Sequence, residues 1–355
     1  MNAKALLLLL CASCTSLPTP VMGQGFAGLG SNAEGFSIPT RGVELVFPKD
    51  HKPHPDFRIE WWYVTANLHT ADGQRMGVQW TLFRSALEPV ERPGWSDPQI
   101  WIGHAAVTTA SRHHVAERLA RGGVGQAGVK GEPFDAWIDN WQMKAGTDDA
   151  RDDLDQIDLN ANGESFRYRL KLQAHGPLVR QGDNGYSVKS AEGQASHYYS
   201  QPFYSVSGSV FLDGEAHEVT GEAWLDREWS SQPLASSQTG WDWFSLHLAS
   251  GEKLMAFRLR DDKSGYISAN WISADGRPSP VDPKDVLLSP LRTADINGKS
   301  IPVEWSVKIP SRGLNIKTKP LNEKAWMATS TPYWEGPIEF DGSTSGQGYL
   351  EMTGY

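Results

Sequence analysis

Apolar and polar residues alternate along most of the chain from about residue 36 onward. The run FRYRLKLQ at 166–173 has an aromatic or aliphatic residue at every second position, and VEWSVKI at 303–309 repeats the pattern. A period of two places one face of a strand in a core and the other in water, which is typical of antiparallel sheets. Turn-forming pairs such as Asp72-Gly73, Asn162-Gly163 and Asp213-Gly214 separate the runs, as in successive hairpins. The pattern therefore predicts an all-β protein.

Three features of the sequence occur twice in the same order. The first is an aromatic pair before a turn: Trp62-Tyr63 before the turn at 72–73 matches Trp243-Phe244 before the turn at 250–251. The second is YYSQP at 198–202, which matches YWEGP at 333–337. The third is GEAWLD at 221–226, which matches GQGYLE at 346–351. Repeats of this kind indicate a duplicated structural unit. We predict two tandem antiparallel barrels or half-barrels over residues 36–232 and 238–355, which bury their edge strands by closing.

The N-terminal segment is typical of a secretory signal. Lys4 precedes an apolar run from residue 5 to 12 that is too short for a permanent membrane span, so we predict a signal peptide over 1–23. The alternative is lipoprotein cleavage before Cys14, with this residue acylated. Cys11 and Cys14 both lie in this segment, and we expect an exported protein, periplasmic or secreted, without disulfides.

Composition excludes several classes of protein. The net charge is −9 and Lys and Arg form no cluster, which argues against nucleic-acid binding. Removing Lys4 leaves 32 − 42 = −10, so we expect membrane contact only through a lipid on Cys14. The chain contains 15 Trp, an excess that predicts either aromatic-rich strands or an aromatic-lined ligand cavity.

Four strings in the sequence carry a resemblance to a known family. They are EWWYVT at 60–65, HYYSQP at 197–202, GEAWLDREW at 221–229 and GYLEMTGY at 348–355. Together they resemble the carotenoid hydratase and AttH-like superfamily over residues 40–355. The resemblance implies two lipocalin-like (calycin) barrels and an apolar ligand. Its members include hydratases of isolated double bonds, pericyclic cyclases and proteins encoded beside export-pump genes.

The residues themselves offer the parts of an acid-catalysed hydration. Adding water to an isolated alkene needs a strong proton donor and walls that stabilise a carbocation, and a carboxyl kept protonated among aromatic rings supplies both. Asp226 and Glu228 lie between Trp224 and Trp229, and strand alternation puts both acids on one face and Arg227 on the other. If Arg58 or another cation reaches the acids, they form a structural ion pair instead.

Other residues complete the predicted site. His197 is a candidate proton relay or ligand contact, and Glu351 is the repeat counterpart of Asp226. Glu60, Trp61 and Tyr63 fit either strand-core packing or the cavity, and packing is the simpler interpretation. Where the hydratases have a His-x-Trp, this chain has Trp241-Asp242-Trp243. The predicted catalytic residues are thus Asp226, Glu228 and His197, and the predicted ligand-binding residues are Trp62, Tyr198, Trp224, Trp229, Trp241, Trp243 and Tyr349.

Two other kinds of chemistry find little support in the sequence. No Gly-x-Ser-x-Gly motif is present, so a serine hydrolase is not expected. His51 and His54 stand in a Pro-rich loop without an evident third ligand, and we expect neither a metal nor another cofactor.

The sequence therefore predicts an exported protein that binds an elongated apolar or isoprenoid-like molecule in an aromatic cavity at or near the domain junction. Such a protein would hydrate or isomerise a double bond of that molecule, as a hydro-lyase does. The alternative is a non-catalytic periplasmic carrier or accessory protein of an ABC-type export system, which returns its ligand unchanged.

Overall fold

The computed structural model describes residues 33–146 and 152–355. The predicted signal peptide over 1–23 and Cys14 lie outside the described residues. Within the described segments, helical structure is confined to single turns of 3-10 helix, and none of it is long and apolar enough to cross a bilayer. These turns are Lys49–His51, Gly94–Ser96, Pro283–Asp285 and Pro310–Arg312.

The first half of the chain forms one antiparallel sheet. Its strands follow the order β4-β3-β2-β1-β13-β12-β9-β8-β7-β6-β5, with β10 and β11 paired to β12. The strands are β1 (Ile59–Thr70), β2 (Arg75–Ala86), β3 (Gln99–Thr109), β4 (His113–Arg121), β5 (Ala127–Gly131), β6 (Phe134–Ile138), β7 (Trp141–Ala145), β8 (Gln156–Asn162), β9 (Phe166–Ala174), β10 (Val179–Arg180), β11 (Tyr186–Val188), β12 (Ala195–Leu212) and β13 (Glu215–Ser230).

The second half forms another antiparallel sheet with its own strand order. That order is β17-β16-β15-β14-β23-β22-β20-β19-β18, with β21 paired to β22. The strands are β14 (Gly240–Leu248), β15 (Lys253–Arg260), β16 (Tyr266–Ile272), β17 (Pro278–Val281), β18 (Leu287–Ile296), β19 (Lys299–Ile309), β20 (Leu314–Pro320), β21 (Trp326–Met327), β22 (Tyr333–Gly342) and β23 (Gly346–Met352).

Both sheets curl, the first into a near-barrel and the second into a half-barrel. The ends of the first sheet approach each other where Arg118 on β4 donates to the side chain of Asn140, at 2.5 Å. Gly103 permits this closure, because a Cβ atom there would lie 2.8 Å from a methyl carbon of Ile138. The all-β fold of two tandem barrel-like sheets predicted from the alternation is thereby confirmed.

The interior of each curled sheet is filled with side chains. Trp62, Trp80 and Trp141 are fully buried in the first sheet, and Trp305 and Trp334 in the second. A third apolar cluster, the junction cluster, lies where the two sheets meet and includes Tyr63, Tyr198, Trp224, Trp243, Phe257 and Tyr349. The sheet interiors are packed, and an aromatic-lined cavity lies between the sheets.

A buried carboxylate holds two arginines on the core face of each sheet. In the first sheet Glu60 forms ion pairs with Arg84 and Arg227, and all three side chains are fully buried. In the second, Asp242 pairs with Arg258 and Arg260. A buried ion cluster of this kind is costly to break, because removing one partner leaves uncompensated charge in a low dielectric.

Candidate functional site

A cavity of about 230 Å³ lies at the junction of the two sheets. Both sheets contribute side chains to it. Those of the first sheet lie on β1, β2, β3, β12 and β13, and those of the second on β14, β15, β22 and β23. Most of the lining is apolar, and its aromatic members include Trp61, Tyr63, Phe83, Trp241, Trp243 and Phe257.

Alternation along β13 determines which of its charged residues reach this cavity. Asp226 and Glu228 line it, whereas Arg227 points to the opposite face and pairs with Glu60. Successive strand residues face opposite sides of a sheet, so the sequence pattern alone places the two acids together.

Neutral donors surround the carboxyl of Asp226. Oδ2 accepts a hydrogen bond from the Tyr198 hydroxyl at 2.7 Å, and Oδ1 accepts from the Ser200 hydroxyl at 2.5 Å and the Trp224 indole at 2.6 Å. Burial raises the pKa of Asp226 to about 7 against these hydrogen bonds, which lower it, and the charge of Glu228 adds to the rise. Asp226 can thus exchange a proton near neutral pH.

Glu228 has a different environment, because a cation reaches it. Lys189 Nζ lies 2.8 Å from its Oε1, and both side chains are buried. The ammonium also lies over the rings of Tyr198, at 4.8 Å, and Phe257, at 4.4 Å. The structural ion pair considered for these acids therefore exists at Glu228, with Lys189 as the cation; Arg58 instead donates to the Ser231 carbonyl.

The second sheet brings two more acids to the junction. Glu351 on β23 lines the cavity and accepts a hydrogen bond from the Trp241 indole at 2.8 Å. Burial raises its pKa to about 8, with a further rise from the charges of Asp226 and Glu228. Glu335 is opposite Glu351 on β22, is 1% exposed, and has a pKa well above its usual range because of burial and the Glu351 charge.

Hydrogen bonds across the junction connect the two sheets. The Tyr63 hydroxyl of the first sheet donates to Glu335 of the second at 2.5 Å. The Trp243 indole of the second donates to the Tyr198 hydroxyl of the first at 3.2 Å. The polar groups of the cavity thus depend on both halves of the chain for their partners.

Six of the predicted site residues meet at this cavity. Five of them line it, namely Asp226, Glu228, Tyr198, Trp241 and Trp243. The sixth, Trp224, lies behind Asp226 and donates to it.

The remaining predicted residues lie elsewhere. His197 and Trp229 are on the opposite face of the first sheet, in ring contact with each other, and burial lowers the pKa of His197 to about 4. Trp62 lies in the core against Arg227 and donates to the His51 carbonyl. Tyr349 is buried in the junction cluster and packs against Gly77.

The position of Trp62 corrects the alignment of the two sequence repeats. Asp226 is opposite Tyr63, and its counterpart Glu351 is opposite Trp243. Trp243 therefore corresponds to Tyr63, and the predicted match of Trp62 with Trp243 is wrong by one residue. A shift of one residue moves a side chain to the other face of a strand, which is why Trp62 lies in the core.

Two residues of the cavity lining and one carboxyl behind it are not among the predicted site residues. For Trp61 and Tyr63 core packing is the simpler interpretation of the sequence, with the cavity as the alternative, and the structure places both in the cavity lining. Glu335 was not singled out, although the match of YWEGP with YYSQP placed it at the position of Ser200, which bonds Asp226. That correspondence is the signal that could have identified it.

No metal centre is evident among residues 33–146 and 152–355. No group of three or more His, Cys, Asp or Glu side chains there is arranged to hold an ion. His51 bonds the Tyr199 hydroxyl at 2.6 Å and Asp152 at 2.9 Å, and His54 contacts Asp50 and Glu60.

The raised pKa values of the cavity acids predict a pH-dependent stability. In the unfolded chain Asp226 and Glu351 lose their protons near pH 3.8 and 4.5, whereas the folded protein retains them to about 7 and 8. The folded state binds more protons in between, so the free energy of unfolding falls as pH rises. We expect this fall between pH 6.5 and 8, where unfolded histidines, which titrate near 6.5, are losing the protons that would oppose it.

Urea unfolding at several pH values across this window measures the effect. The side chains introduced by Asp226→Asn and Glu351→Gln cannot ionise. Each substitution should therefore reduce the slope of the free energy of unfolding against pH. A wild-type stability that rises with pH in this range, or variants with an unchanged slope, would contradict the assignment.

Comparison with known proteins finds a matching family and solved structures with a similar fold. The sequence model of the AttH-like family matches residues 38–355. A crystal structure of an AttH protein from Nitrosomonas europaea is 33% identical, with a TM-score of 0.79; the match covers 90% of this chain and 100% of that one. None of the curated proteins matches this chain significantly.

Two more distant structures share the fold. Kievitone hydratase from Nectria haematococca is 17% identical with a TM-score of 0.67, and the match covers 90% of this chain and 96% of the hydratase. CghA, in a structure with Sch210972, is 14% identical with a TM-score of 0.55, over 91% of this chain and 97% of that one.

Proposed function

Because the chain belongs to the AttH-like family over residues 38–355, and its sheets enclose an aromatic cavity with carboxyl groups at their junction, we propose that it adds water to a carbon–carbon double bond. The substrate would be an elongated apolar, isoprenoid-like molecule. One of the structural relatives is named as a hydratase, which is in keeping with this chemistry.

The observation that carries the proposal is a buried, protonatable carboxyl beside aromatic faces in one cavity. Protonating an alkene creates a carbocation, and each aromatic face stabilises such a cation by about 2 kcal/mol or more when dry. Tyr63 is opposite Asp226, the Trp243 indole donates to Tyr198 beside Asp226, and Trp241 bonds Glu351. This combination of acid and aromatic wall is what the reaction requires.

Of the two acids singled out from the sequence, Asp226 is the better candidate for proton transfer. A general acid or base works best when its pKa is near the operating pH, and that of Asp226 is raised to about 7. Glu228 instead has Lys189 as an ion-pair partner, so its carboxyl is already engaged. That pair also neutralises the ammonium, which would otherwise repel a carbocation.

The size of the cavity limits how the ligand binds. Its volume of about 230 Å³ is below the roughly 300–1,000 Å³ of pockets that enclose a whole drug-sized molecule. We therefore propose that the reacting double bond is enclosed and that the rest of an elongated ligand extends past the exposed Ser330 at the rim.

Ligand capture tests the binding part of the proposal. The purified protein is incubated with lipid and isoprenoid extracts, re-isolated, and analysed by mass spectrometry for bound species. We expect an apolar alkene to copurify with the wild type. Ile102 is half-buried and lines the cavity, so Ile102→Trp should fill the space and reduce the amount captured.

Ile267→Trp is the matched control, because Ile267 is also half-buried on a strand but does not line the cavity. Capture should persist in this variant. A protein that is recovered empty from every extract, or equal capture by both variants, would count against a ligand in this cavity. A ligand that is always returned intact would favour a carrier over a hydratase.

A further inference from the structure

We propose that Glu351 is the acid that protonates the double bond, and that Glu117, His104, Tyr333 and Glu335 form a relay that supplies it with protons from solvent. This inference rests on the proposed function. It assigns to Asp226 the opposite role, that of the base that takes a proton from the attacking water.

The outer end of the relay is open to solvent. The Glu117 side chain on β4 is 22% exposed, whereas that of His104, opposite it on β3, is 5% exposed. His104 Nε2 lies 3.1 Å from Glu117 Oε1, and the backbone and hydroxyl of Ser330 also donate to this carboxylate, at 3.0 and 2.6 Å. Glu117 and Ser330 thus hold the imidazole with one nitrogen toward the surface.

The inner nitrogen of the same imidazole reaches the second sheet. His104 Nδ1 lies 3.0 Å from the Tyr333 hydroxyl, and the two rings stack with centroids 5.7 Å apart. Tyr333 is hydrogen-bonded to Glu335. His104 and Tyr333 also line the cavity. The contacts therefore run without a break from the solvent-exposed carboxylate to a buried carboxyl on the other sheet.

Glu335 faces Glu351 across the pairing of β22 with β23. Directly opposed residues on antiparallel strands have Cβ atoms about 5 Å apart, within the reach of two glutamate side chains. Oε2 of Glu335 is buried without a hydrogen-bond partner among the described residues. A protonated carboxyl at Glu335 can hand its proton to Glu351, which lines the cavity.

The polarity of the hydrogen bonds permits transfer toward the cavity. With protons on both ring nitrogens, His104 donates to Glu117 and to the Tyr333 oxygen, and the Tyr333 hydroxyl then donates to Glu335. Passing the Nδ1 proton to Tyr333 and the Tyr333 proton to Glu335 leaves Glu335 protonated and His104 neutral, with its remaining proton on Nε2. The neutral ring regains a proton on Nδ1 by turning about its Cβ–Cγ bond to meet solvent beside Glu117 and turning back.

The reaction balances with one water consumed. Glu351 gives its proton to one alkene carbon, a carbocation forms at the other, and the oxygen of water bonds to that carbon. The proton released by this water passes to Asp226, which returns it to solvent when the product leaves. One proton enters through the relay to restore Glu351, so no net proton is gained or lost.

Infrared spectroscopy of the free protein tests the relay without any substrate. A protonated carboxylic acid has a carbonyl band distinct from that of a carboxylate, and the band shifts when the proton exchanges for deuterium. We expect this band in the wild type at neutral pH and its reduction in Glu351→Gln and Glu335→Gln. After rapid transfer into D₂O, the rate of the shift measures how fast protons reach the two acids.

His104→Phe keeps an aromatic ring against Tyr333 and removes both nitrogens. We expect the exchange of protons for deuterons at Glu335 and Glu351 to slow roughly a hundredfold, which is the lower end of what a positioned proton-transfer group contributes. Glu117→Gln, at the partly exposed end, is a milder variant that should also slow exchange. His113→Phe is the control, since His113 lies on the same hairpin and bonds Thr108 outside the relay.

The direction of the change separates a relay from a structural role. A variant that merely loosens the fold exposes the acids and exchanges faster, whereas a broken relay exchanges more slowly. Unchanged or faster exchange in both His104→Phe and Glu117→Gln would overturn the proposal, as would a band of undiminished intensity in Glu351→Gln and Glu335→Gln. Either failure would leave ligand capture untouched, so it is distinguishable from failure of the proposed function.

Discussion

Asp226→Asn is expected to lower the rate of water addition by about 10²–10⁴-fold, the usual contribution of a positioned proton-transfer group. Asn keeps the size of the side chain but cannot take a proton from the attacking water. The aromatic walls remain, so ligand capture should persist. Because Tyr198, Ser200 and Trp224 all donate to Asp226, the Asn side chain also meets these three donors with only one acceptor oxygen.

Incorporation of oxygen from ¹⁸O-labelled water into the captured alkene measures this reaction by mass spectrometry. The labelled alcohol should form with the wild type and be nearly absent with Asp226→Asn. Asp158→Asn is a matched control, because Asp158 is half-buried on β8 and is not part of the cavity lining. Full hydration activity in Asp226→Asn would exclude Asp226 from the chemistry.

Glu60→Gln is expected to destabilise the protein by about 3–5 kcal/mol, the cost of removing one partner from a buried ion pair. The substitution retains the shape of the side chain and leaves Arg84 and Arg227 buried without their shared carboxylate. Arg227 also lies over the Trp62 ring at 3.9 Å, so its displacement would disturb the core of the first sheet.

Denaturant unfolding measures this loss as a lower midpoint at an unchanged m-value. Glu339→Gln is the matched control, since Glu339 forms an ion pair with Arg75 in which both side chains are at least 35% exposed. An exposed pair contributes about 0–1 kcal/mol, so this variant should remain close to wild type. Equal stability of the two variants would show that the buried cluster is not what holds the sheet.

Local sequence patterns were sufficient to predict the strands and part of the cavity. A period of two along 221–229 separates Asp226 and Glu228 from Arg227, and the structure shows that separation. The same pattern predicts the antiparallel sheets, which the structure confirms. These features depend only on which face of a strand a residue occupies.

Features that depend on contacts between distant segments could not be predicted. Lys189 meets Glu228 because β11 packs beside β12 in the fold, and no local signal connects the two residues. The alignment of Trp62 with Trp243 failed by one residue, because an aromatic pair at each site gave no information on register. Only strand pairing determines which side chain of such a pair faces the cavity.

Equivalent positions on the two sheets, Tyr63 and Trp243, each reach across the junction to bond a group of the opposite sheet. The two contacts use different partners, because Glu335 corresponds to Ser200 whereas Tyr198 corresponds to Tyr333. Ser200 and Asp226 of the first sheet stand where the second sheet has Glu335 and Glu351. Neither half of the chain supplies a full set of partners alone, so separating the halves would leave buried hydrogen-bonding groups of each one unpaired.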